Sequence, residues 1–230
     1  MPRIILAVVS AALVLCSPAA GSGPPIEIDE LDQAWATAIL PTEDDLPAGW
    51  HAVARTNTSD ADYSLCDGLK IDESDLVVTG AAGSPDFIRG DGAWSGAVAL
   101  VWRTAAQAQA DWDRSVQPKL MNCVADSFKA SSTKAVKIVI AGKRAVNFPA
   151  VAPRTAAYRI SLIWKMIVRS KQRKPTTKAV RATYDLILIG DDRASATLAT
   201  LSFKSKPLPD IYAHSLAVLM AQRMHRDPHS

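Results

Sequence analysis

The chain has 230 residues, 48% hydrophobic and 21% charged, with 11 Gly and 14 Pro. That composition excludes a disordered chain, a collagen-like repeat and a coiled coil, and the length suffices for one sizeable core. The formal net charge of +3 hides a segregation: residues 21–90 carry 14 acidic and 3 basic side chains, net −11, and residues 91–230 carry 9 and 22, net +13.

Arg3, the apolar run over residues 4–15 and the small Ser17, Ala19 and Ala20 read as a secretory signal peptide over residues 1–20. The run is shorter than the roughly 20 residues a transmembrane helix needs, and no other segment qualifies. The mature protein is therefore expected to be secreted or held in the cell envelope. Cys16 raises lipoprotein anchoring, but Leu15 stands where a small residue normally precedes an acylated cysteine, so this is the lesser reading. Without the leader, Cys66 and Cys123 remain. In an oxidising compartment they are expected to form one disulfide, whose loop closure is worth about 4 kcal/mol in the chain-entropy relation. There is no C-x-x-C pair and the histidines are scattered, so no zinc site or other cofactor is expected.

Residues 21–28 read as a linker and 29–230 as one domain. Leu31, Trp35 and Ile39 recur at a spacing of four and predict a helix that Pro41 ends. Asp44 to Trp50 form a compact turn, in which Asp44 and Asp45 act as caps rather than as a cation site. A short strand at 51–55 leads into a loop over 56–73, which holds Cys66 and a sequon at Asn57, Thr58 and Ser59. A short strand at 75–79 and a Gly-, Asp- and Ser-rich turn region at 80–92 follow. Arg89, Gly90 and Asp91 spell an adhesion tripeptide there, read as a turn. Trp94, Val98, Leu100 and Trp102 mark a buried strand.

Thr104 caps an alanine-rich helix that Pro118 kinks or restarts, and Leu120, Val124 and Phe128 stripe its continuation next to Cys123. Residues 136–140 and 158–168 alternate as strands, with Arg159, Ser161, Lys165 and Arg169 as a solvent-facing set. Residues 180–189 and 194–203 form a hairpin around Gly190, Asp191 and Asp192, and Asp210 opens a last helix. The order predicts an α+β fold: an antiparallel sheet of about six strands, helices packed on one side, one disulfide.

These motifs occur together in a known pattern. The LPTEDDLPAGW segment is followed by Cys66, a strand, an alanine-rich helix and Cys123; FPAVAPRTAAYR leads into a strand; YDLILIGDDRASATLATLSF precedes a final helix. In this the chain resembles actinobacterial exported proteins of the DLPxGW type, which look like the extracellular sensor domain of PknH-type receptor serine/threonine kinases. The resemblance covers about residues 38–226. It implies an exported or envelope-anchored domain with a central antiparallel sheet and a ligand cleft, but no established chemistry. The chain departs from those receptors: it carries no kinase domain, and one disulfide where the resemblance implies two.

No catalytic motif is legible. Ser95 sits one place late for a G-x-S-x-G turn between Gly92 and Gly96, and neither H-E-x-x-H nor a phosphate-binding glycine loop occurs. The charge pattern is sharper. No acidic residue lies between Asp126 and Asp185, whereas fourteen Lys or Arg do. Lys165, Arg169, Lys171, Arg173, Lys174, Lys178 and Arg181 concentrate around an expected hairpin loop with Ser170 and Pro175. Such a cluster can meet an anionic lipid, a wall polymer or an acidic protein. The competing reading is that folding pairs these cations with the acidic N-terminal half. Nucleic acid is not expected, for lack of a reader motif. The sequence thus points to an exported, non-enzymatic, sensor-like binding domain of the envelope with a lipidic or anionic ligand. The alternatives are a secreted hydrolase built around His51 or His214, and a structural or partner-interaction protein.

Overall fold

The computed structural model describes residues 23–54, 71–170, 173–203, 208 and 210–228, with backbone alone at 168–170, 173–175 and 210. The expected leader with Cys16, the sequon, Cys66 and Lys171 lie outside the described residues. The order is α1 (Glu30–Ile39), a 3-10 turn (Glu43–Asp45), β1 (Trp50–Val53), β2 (Val78–Gly83), β3 (Asp86–Arg89), β4 (Trp94–Trp102), α2 (Ala105–Ser115), α3 (Pro118–Ala130), β5 (Val136–Ala145), β6 (Arg154–Ser170), β7 (Arg173–Asp191), β8 (Ala194–Ser202) and α4 (Asp210–Met224).

The α+β class holds, but among the described residues the sheet has eight strands rather than about six, ordered β1-β3-β4-β8-β7-β6-β5 with β2 also on β4. The strand ladders are all antiparallel. β3 and most of β2 come from the stretch read as a turn region, β2 overlapping the strand expected at 75–79. Gly80 makes β2 look like a turn in sequence, yet it serves close packing. A Cβ there would lie 2.3 Å from the Asp32 carbonyl oxygen, because α1 crosses directly over the strand. Gln33 holds that crossing, donating to the Ala81 carbonyl at 2.8 Å and accepting from its N–H at 3.1 Å. Gly80→Ala is expected to force α1 off the sheet and lower stability by about 2 kcal/mol, as for overpacked cores. A urea midpoint equal to wild type would show that the contact yields freely.

Helices cover both faces of the sheet, correcting the one-sided expectation. Ile187 and Ile189 of β7 pack with Trp35 and Ile39 of α1 and Leu216 and Met220 of α4 on the first face. Tyr184, Leu186 and Leu188 of the same strand pack with Leu120, Val124 and Phe128 of α3 on the second. The physical cause is the near-continuous apolar run from Tyr184 to Ile189, broken only by Asp185, which a strand buried on both faces requires. Proline at the start of α3 restarts the helix where its missing N–H is harmless. Thr104 caps α2, its hydroxyl oxygen accepting from the Gln107 N–H.

The stripe of α1 is displaced. Leu31 is 54% exposed, whereas Asp32 is 3% exposed. Arg193, in the β7–β8 turn, draws Asp32 inward. Its Nη1 and Nη2 donate to the two Asp32 carboxylate oxygens at 3.0 and 2.9 Å. The Thr79 hydroxyl donates to Asp32 at 2.5 Å, and Arg193 also binds Asp227 and lies 5.5 Å from the Trp35 ring centroid. One ion network thus ties α1, β2, the β7–β8 turn and the C-terminal residues.

Candidate functional site: an open basic sheet face

The β6–β7 hairpin is longer than the helices that cover the first face. Beyond α4 no described helix covers that face. The register sets its side chains in rows: Lys137 opposite Lys165; Val139, Ile163 and Arg181 abreast; Arg144, Arg159 and Asp185 abreast beyond a bulge. Lys137, Arg144, Lys165 and Arg181 are exposed. Ile163 and Val139 are partly buried between them, and Ile167 is 44% exposed. Arg159, expected to face solvent, instead donates through Nε and Nη2 to Asp185 at 2.6 and 3.0 Å. Asp185, the acid on this stretch of the face, is thereby engaged.

Like charges directly opposite across an antiparallel pair destabilise it. Lys137 and Lys165 stand in that relation. Neither they nor Arg144 and Arg181 form an ion pair with any described residue. Four acids of the N-terminal half are answered elsewhere. Glu27 pairs with Arg103, Asp32 with Arg193, Asp45 with Arg223 and Asp75 with Arg114. Among the described residues, folding therefore cancels part of the charge segregation through four arginines and leaves the cations of the open face without an acidic partner.

The expected site residues divide accordingly. Lys165 and Arg181 share the open face. Lys178 stands opposite Met166, in the register that points to the second face. Arg169, Arg173 and Lys174 lie at the hairpin end, where the ladder continues to Ser170 opposite Arg173. Lys137 and Arg144 were missed. They belong to the acid-free run, but only the pairing of β5 with β6 places them beside Lys165.

The other candidates resolve into structure. Asp45 accepts from the Thr42 N–H at 2.7 Å and from Arg223 at 2.9 and 3.0 Å. Burial works against it, but these donors hold its carboxyl below the ordinary value. Arg89 and Asp91 of the adhesion-like tripeptide bind each other at 3.0 and 2.8 Å in the turn between β3 and β4. His51 lies 3.8 Å from Glu43, and the His214 ring tilts against Phe148 at 5.7 Å. No described histidine shares a hydrogen bond with a serine, so no Ser–His–Asp cluster forms at either position. No group of three metal-ligating side chains occurs among the described residues, and no described helix is long and apolar enough to cross a membrane.

A carboxyl pair sits beside α2. Burial pushes Asp111 up to about 6, against the Ser115 hydroxyl that donates to it and the charges of Arg154 and Arg114. Burial, then the Asp111 charge, pushes Glu73 up to about 7, with Arg114 opposing. Folded values above unfolded ones mean that the folded state binds more protons between pH 4 and 7. Stability is then fully present below that window and is lost as pH rises through it. Asp111→Asn is expected to remove about 2 kcal/mol of this pH dependence. Urea midpoints at pH 4 and pH 7 that fall equally in wild type and variant would contradict this.

No family model matches the chain, and no curated protein does. Among solved structures, the extracellular domain of PknH from Mycobacterium tuberculosis is similar to it at 11% identity, over 84% of this chain and 96% of that one, with a TM-score of 0.38.

Proposed function

We propose that the protein is a non-enzymatic, sensor-like binding domain of the cell envelope that holds an anionic, lipidic surface against the open face of β5, β6 and β7. The observation that carries this reading is the set of cations Lys137, Arg144, Lys165 and Arg181, with Ile163 and Ile167 among them, which pair with no described acid and lie on a sheet face that no described helix covers. Cations near an anionic leaflet gain roughly 1 kcal/mol each, and interspersed apolar side chains suit the boundary between head groups and acyl chains. Export through the leader, membership among actinobacterial DLPxGW-type proteins, and retention in the envelope belong to the same proposal. So does a disulfide between Cys66 and Cys123. No cluster at His51 or His214 supports the hydrolase alternative.

The test is co-sedimentation with phosphatidylglycerol and with phosphatidylcholine vesicles over a salt series. Binding to the anionic vesicles alone, weakening as salt rises, is expected. Equal binding to both, or salt-independent binding, would reject an electrostatic face.

A further inference from the structure

A second site lies away from the open face. A cleft of about 440 Å³ opens between the 3-10 turn, β1, the end of β3 and the first turns of α4. Leu46, Pro47, Trp50, Ile211 and Leu216 make its wall apolar, and Arg89 stands at one side. The volume falls within the range of small-molecule pockets.

The wall is preorganised. The Trp50 and Tyr212 rings stack at 5.0 Å and 3°, both buried, so neither gives way when the cleft fills. The Arg89 guanidinium lies 5.3 Å from the Trp50 ring centroid. Asp91 fixes it through Nε and Nη2, which leaves the two N–H groups of Nη1 without an acceptor among the described residues. Burial pushes the Tyr212 phenol up to about 12, with Ser95 and Arg89 opposing, so it stays a donor at neutral pH. A guanidinium nitrogen held beside an apolar wall offers charge-assisted N–H donors to an anionic acceptor that enters the cleft. Ile211, at 73% exposure the most exposed of the large apolar side chains in the described core and surface, forms the rim.

We propose that this cleft binds a small amphiphile, an acyl carboxylate whose chain lies along Leu46, Pro47 and Leu216 and whose head group accepts from Arg89 Nη1. The site is independent of the open basic face. Arg89 positions the head group without a free carboxylate to repel it, since Asp91 and Asp45 are each occupied by an arginine.

The experiment is calorimetric titration of the full chain with decanoate and with decanol. Saturable 1:1 binding of decanoate is expected, about tenfold tighter than decanol. Ile211→Trp, which fills the cleft from its exposed rim, should weaken decanoate binding at least tenfold at unchanged thermal midpoint. Arg89→Gln should bring decanoate down to the level of decanol. The Lys165→Ser/Arg181→Ser variant should bind decanoate as wild type does. No saturable binding by wild type, or full binding by Ile211→Trp, would overturn the site. Loss in the Lys165→Ser/Arg181→Ser variant alone would move the carboxylate to the sheet face.

Discussion

Asp32→Ala is expected to lower the stability of the fold by about 4 kcal/mol, the range seen when one partner of a buried ion pair is removed. Asp32 answers both terminal nitrogens of Arg193 and takes the Thr79 hydroxyl proton. Without it, Arg193 keeps Asp227 as its described carboxylate and a 3.3 Å contact to the Trp102 carbonyl, in a place where its side chain is mostly screened from water, and Thr79 retains a long 3.3 Å contact to the Val101 carbonyl. The loss should be felt across α1, β2 and the β7–β8 turn together, because all three meet at this carboxylate. Asp32→Ala combined with Arg193→Met should recover part of the loss, since no uncompensated charge is left behind. Urea unfolding of the two single variants and the double variant measures this. A single-variant loss under about 1 kcal/mol, the scale of an exposed pair, would show that the network is not a structural tie.

Neutralising Lys137, Arg144, Lys165 and Arg181 to serine is expected to weaken binding to phosphatidylglycerol vesicles by about 4 kcal/mol, near a thousandfold, at about 1 kcal/mol per cation. The same change should leave stability equal or slightly higher, because it removes the opposed Lys137 and Lys165. The opposite signs are informative. A surface set that served the fold would lose stability when removed. A set kept at the fold's expense is what a functional site looks like.

Much of the architecture was legible in residue order. The strand from Trp94 to Trp102, the helix restart at Pro118 and the hairpin through Gly190 to Asp192 all follow from local pattern and turn chemistry. The failures share a cause: in each, a distant partner reversed a local signal. Asp32 is polar and reads as surface until Arg193, far along the chain, is brought to it. Gly80 reads as a turn until α1 is laid over it. Arg159 reads as solvent-facing until register sets it opposite Asp185. Helices on both faces were signalled by the apolar run from Tyr184 to Ile189, which strict alternation would not produce.

The site was half legible for the same reason. The acid-free run announced a basic surface, but a run does not say which cations share a face. Period-two alternation separates Lys178 from Arg181 once both are on β7. Adding Lys137 and Arg144 required the pairing of β5 with β6, which no local feature encodes. The cleft beside Trp50 was foreshadowed only by the DLPAGW turn, since its opposite wall comes from α4.

The account's central claim is that one face of the sheet, rather than net charge, meets the anionic surface. The direct test compares two variants of equal charge change by vesicle co-sedimentation at fixed salt: Lys165→Ser/Arg181→Ser on the open face, and Lys143→Ser/Lys178→Ser, whose register points to the second face. The account predicts roughly thirtyfold weaker binding for the first pair and near-wild-type binding for the second. Equal losses in the two pairs would contradict it and leave only a generally cationic protein.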